Sequence, residues 1–89
     1  MNAATTTTAK KATKSATATA TLHVLMLNAP RITHPETDSW LVDVYDVKRG
    51  KYVRRAYGPL PEALKALRHE LNLHVVELHR LAGEAGVLA

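Results

Sequence analysis

SWLVDVYDVKRGKYVRRAYGPLPEAL, residues 39–64, holds a strand, a basic turn, a return strand and the first turn of a helix. Trp40, Val42 and Val44 alternate with Asp43 and Tyr45, the period-two pattern of a half-buried strand. Lys48-Arg49-Gly50-Lys51 supplies the turn, with Gly50 free to take positive φ. Residues 52–57 make the return strand, and Gly58-Pro59 stops it. Pro61 then fits the first turn of a helix, where Glu62 meets the positive end of the helix dipole.

Past this point the chain reads as one helix. Leu64, Leu67, Leu71, Val75, Leu78 and Ala82 form an apolar stripe. In four–three spacing, Leu60, Leu64, Leu67, Leu71, His74, Leu78 and Leu81 also suit a partner helix, which marks Leu71, His74, Leu78 and Leu81 as interface candidates. A rival parse ends the helix at Asn72 and makes residues 73–79 a fourth strand around Val75-Val76. That strand would place Glu77 on the face of Leu73 and Val75, so the long helix is preferred.

Toward the N-terminus, residues 21–27 (TLHVLML) are short, apolar and β-compatible, and are read as a first strand. Residues 28–39, with two prolines, Asn, Asp and Ser, read as a surface loop. Residues 1–20 contain nothing apolar larger than Ala apart from Met1, too little to offset the entropy of ordering them. They are expected to form a flexible arm bearing Lys10, Lys11 and Lys14. No apolar run follows those lysines, unlike a secretory signal. An organelle transit segment stays open, since no acid precedes Glu36, although Arg31 is the only arginine before it.

The fold expected is therefore α+β: a small antiparallel three-stranded sheet packed on one C-terminal helix, behind a disordered N-terminal arm. The arm occupies residues 1–20 and the βββα domain residues 21–89. Trp40, Val42, Val44, Leu64, Leu67 and Leu71 are its expected core. A domain of this size without cysteine has neither a disulfide staple nor a thiolate metal site. Self-association is the commonest remedy, so a homodimer is expected ahead of a monomer. The missing cysteine also fits a cytoplasmic chain, and no apolar run reaches membrane-spanning length.

The 89 residues carry 12 Lys and Arg against 8 Asp and Glu. Five of those cations, Lys48, Arg49, Lys51, Arg54 and Arg55, fall within eight residues. Without them the domain is net acidic, and such asymmetry suits a local anion-binding surface. If Val53 faces the core, Arg55 and Tyr57 share its side, while Tyr45, Tyr52 and Arg54 face outward. Cations interleaved with aromatics suit nucleic-acid phosphates and bases. The bland reading is a hairpin tip kept charged against edge pairing.

The run Trp40-x-Val42-x-Val44-Tyr45-Asp46, then Gly50-Lys51-Tyr52-x-Arg54, then Tyr57-Gly58-x-Leu60-x-Glu62-Ala63 resembles three-strand-plus-helix DNA-binding modules. These occur as the arm-binding domains of phage-type tyrosine integrases and as the plant AP2 domain. The likeness covers element order over residues 22–80 and residue types over 40–67. It implies strands in the DNA major groove with the helix behind. Those families carry more Arg on the middle strand, where this chain has Asp43 and Asp46, so the turn and third strand become the contact.

Little points to catalysis. His69, His74 and His79 recur every five residues and cannot share a helix face, which excludes a helical metal pair. His74 reads as a packed or interface histidine. His34-Pro35-Glu36 matches one half of a zinc-deaminase signature whose cysteines are missing. His34, Asp38 and Ser39 sit in one short turn-like segment. No phosphate-binding glycine loop is present, and neither a metal nor a cofactor is implied. Two function classes remain. One is a non-enzymatic nucleic-acid binder, DNA ahead of RNA. The other is a protein-interaction module within a larger complex: a phage-type inhibitor, an assembly factor or a virion component.

Overall fold

The computed structural model describes residues 3–36 and 39–87, with side chains for residues 15–35 and 39–87. The order is α1 (Ala3–Leu27), β1 (Arg31–Glu36), β2 (Ser39–Asp46), β3 (Lys51–Gly58) and α2 (Leu60–Ala85). The sheet is antiparallel with spatial order β1-β2-β3. The α+β class, the three-stranded antiparallel sheet and the C-terminal helix all agree with the sequence reading.

The hairpin forms as its residues dictate. Asp46 pairs with Lys51 across its mouth. Its carbonyl accepts the Gly50 N–H at 2.8 Å, and its carboxylate accepts the Arg49 N–H at 3.1 Å. Gly50 takes φ 67°, a conformation that costs any residue with a Cβ about 1–2 kcal/mol.

The first strand lies elsewhere than expected. Residues 21–27 are helical, and β1 comes from the segment read as a loop. Ala18, Leu22 and Leu25 recur at helical spacing and are buried against Leu81 of α2. A partner helix thus stabilises as helix a run whose local signal is ambiguous. Asn28 ends α1 by donating its side-chain amide to the Val24 carbonyl at 2.8 Å. β1 accommodates Pro35 because it is an edge strand with irregular register between Thr33 and Glu36.

The arm boundary also moves. The Ser15 hydroxyl donates to the Ala85 carbonyl at 3.4 Å, Thr19 bonds back to the Ser15 carbonyl, and Ala18 is 3% exposed. Residues 15–20 therefore belong to the packed domain.

α2 runs unbroken through residues 73–79, so the fourth strand does not form. Pro59 precedes it in extended backbone, and the helix continues through Gly83 to Gly86. Gly86 at φ 76° closes it, with the Val87 N–H bonded to the Ala82 carbonyl at 3.0 Å. The N-terminal half of α2 covers one sheet face, and its C-terminal half packs antiparallel on α1. Among the described residues, no helix is long and apolar enough to cross a membrane.

The core is smaller than expected and its helix face is rotated. Val42 is completely buried and is the largest such side chain among the described residues. Trp40, Val44 and Leu67 are half-buried, but Leu64 and Leu71 are 49% and 37% exposed. Ala63 is the α2 residue buried near the sheet. One position is about 100° of helix rotation. A small Ala lets the helix approach closely, and that turn carries Leu64 and Leu71 to the rim.

Candidate nucleic-acid interface

Register decides which hairpin side chains share a face. Val44 pairs with Val53, Asp43 with Arg54, Val42 with Ala56 and Leu41 with Tyr57. β3 thus carries one extra residue, Arg55, in a bulge opposite Val42–Asp43. The bulge restores Ala56 to the buried side opposite Val42 and sends Tyr57 to the other face, where it is 75% exposed. The alternation drawn from Val53 placed Tyr57 with the core. A bulge inverts that parity for every residue beyond it.

The face turned away from α2, uncovered except where Tyr45 packs on the α1–α2 cluster, then carries Arg31 on β1, Leu41, Asp43 and Tyr45 on β2, and Tyr52, Arg54 and Tyr57 on β3. Its two ends differ. Near the hairpin, Tyr52 donates its hydroxyl to the Ala29 carbonyl at 3.0 Å and meets Tyr45 edge-on at 5.3 Å. The Arg31 guanidinium lies 3.8 Å above the Tyr52 ring and 3.9 Å from the Asp43 carboxylate. These contacts tie the α1–β1 connection to the sheet, so Tyr52 already has a structural partner on its ring. At the far end Tyr57 is open beside half-buried Leu41.

The cations divide in the same way. Arg49 is held 3.6 Å from the Asp46 carboxylate. Among the described residues Lys48, Lys51, Arg54 and Arg55 make no ion pair. Arg54 lies on the uncovered face opposite Asp43, whereas Arg55 faces α2 across a cleft of about 300 Å³ shared with Glu70, His74 and Glu77. Lys10, Lys11 and Lys14 have side chains outside the described residues.

On α2, Arg80 bonds Glu77 at 2.6 Å and Glu84 at 2.7 Å. The hydrogen bond from Arg80 holds the Glu77 carboxyl below its usual range. The same bonds raise Arg80 further above its already high value, so that cation is locally neutralised. Leu78 and Leu81, expected at an interface, pack on α1 of the same chain, while His74 is half-buried and Leu71 exposed. Among the described residues no cluster of His, Asp or Glu could hold a metal ion.

Sequence reasoning missed two members of the face, Tyr57 and Arg31. The signal for Tyr57 was the small apolar Ala56, three residues after Val53 and so out of phase with it. Arg31 lay in a segment taken as loop. Comparison of the chain with protein-family models, curated proteins and solved structures gives no match.

Proposed function

We propose that this protein is a small, non-enzymatic nucleic-acid-binding module that grips phosphates with its hairpin and stacks bases on its open sheet face. The observation carrying this reading is the placement of three cations, Lys48, Lys51 and Arg54, that make no ion pair among the described residues, on the strand–turn that also exposes Tyr57. A tip charged merely against edge pairing has no need of Arg54 and an open Tyr57 farther along the same strand. Lys48, Lys51 and Arg54 lie at the tip and uncovered face and are the phosphate contacts. Arg49 contributes less because Asp46 offsets its charge.

Fluorescence anisotropy with a labelled single strand and the matching duplex tests this. Tyr57→Ala should weaken single-strand binding by about 10-fold, the loss of one stacked base, and duplex binding much less. Tyr52→Ala should instead lower stability, since its ring and hydroxyl are engaged within the fold. Absence of binding to either probe at low salt would sink the proposal. In that event the apolar residues exposed on α2, among them Leu64, Val75 and Val76, favour the protein-interaction reading.

A further inference from the structure

The bulge at Arg55 also shortens the step between Arg54 and Tyr57. These two are three apart in sequence, but their partners on β2, Asp43 and Leu41, are two apart. They therefore stand on one face, about 7 Å from each other along β3. Arg54 makes no ion pair among the described residues, and Tyr57 is 75% exposed beside half-buried Leu41. A cation thus stands one short step from an open aromatic ring.

Each strand of a duplex rises ~3.4 Å per nucleotide, and an unstacked single strand stretches to about twice that. The step from Arg54 to Tyr57 matches one such nucleotide. Toward the tip, Lys51 pairs with Asp46, five ladder positions from Leu41 and so about 17 Å from Tyr57, and Lys48 follows in the turn.

β2 argues against a duplex. A ribbon seated in a major groove presents both of its strands to the DNA. On this face β2 offers Leu41, Asp43 and Tyr45, which include no cation and a carboxylate 3.9 Å from Arg31. Among the described residues, the sheet cations that make no ion pair all belong to β3 and its turn. A base inside a duplex also has both faces covered by its neighbours, so it offers Tyr57 nothing to stack on. Granted the nucleic-acid reading above, on which this rests, we infer that the occupant is a single strand lying along β3. One phosphate meets Arg54, its unpaired base stacks on Tyr57, and further phosphates meet Lys51 and Lys48. The track holds about four nucleotides, the lower end of the range for small single-strand-binding domains.

Fluorescence anisotropy at low salt with labelled oligothymidylates of about two, four and eight nucleotides tests this. Affinity should rise by about 10-fold or more from two to four nucleotides, and by no more than about 5-fold from four to eight, the gain from added registers alone. A sugar–phosphate chain of eight units without bases should bind about 10-fold more weakly than the octamer, as should the matching duplex. Tyr57→Ala should erase the difference between octamer and base-free chain, and Tyr57→Phe should keep it. Arg54→Ala should weaken both alike. Both side chains are exposed, so neither change should move the melting temperature. Equal affinity of the wild type for octamer, base-free chain and duplex would overturn the inference and leave a contact to phosphates alone. Absence of binding to every probe would overturn the nucleic-acid reading and the inference together.

Discussion

Val42→Ala is expected to lower the unfolding free energy by about 2–3 kcal/mol, the cost of removing buried methyl groups from a site with little room to collapse. For a domain of this length that corresponds to roughly 10–20 °C in melting temperature. Val42 is 0% exposed, sits on the central strand, and pairs with Ile32 on one side and Ala56 on the other. Among the described residues it is the largest side chain that is fully buried. Val42→Thr has nearly the same shape but buries a hydroxyl, and should lose a similar amount. Thermal unfolding at fixed protein concentration reads both effects. A change below about 0.5 kcal/mol, the size typical of surface substitutions, would show that the sheet centre is not where the fold is held.

Leu81→Ala should cost about 3 kcal/mol, and Ala18→Glu should undock α1 altogether. Leu81 and Ala18 are each 3% exposed and meet in the cluster that joins the two helices. A carboxylate at residue 18 would face Leu22 and Leu81 with no partner, so the helix would leave rather than bury it. Loss of helical circular dichroism with a lower melting temperature is the expected signature. Removing residues 1–20 sharpens the comparison. The sequence reading expects that deletion to be harmless, while the packing of Ser15 and Ala18 requires it to destabilise. An unchanged melting temperature in all three variants would return those residues to the arm.

The parts legible in the sequence are those whose local and tertiary signals agree. β2, the turn and β3 combine alternation with Gly50, and the start of α2 combines Pro61 with Glu62. α1 was hidden because Thr-rich sequence has weak helix propensity, and only the docking of Ala18, Leu22 and Leu25 on α2 settles it. β1 was hidden by Pro35, which is acceptable only because the strand lies at an edge. At the site, the cations at the tip could be read directly. Tyr57 could not, since one bulged residue at Arg55 reverses the faces. The helix stripe was legible in its spacing but not in its partners. Leu78 and Leu81 turn toward α1, whereas Leu64 and Leu71 remain at the surface.

The salt dependence of binding tests most directly the proposed contact between the hairpin cations and nucleic-acid phosphates. If Lys48, Lys51 and Arg54 together neutralise about three phosphates, log affinity should fall against log salt with a slope near −3. Affinity for a labelled duplex should then drop by about 60-fold between 50 and 200 mM salt. Lys48→Ala with Lys51→Ala should flatten the slope by about two units without changing the melting temperature, because both side chains are exposed and make no ion pair among the described residues. A slope near zero, or one that the double variant leaves unchanged, would contradict the account.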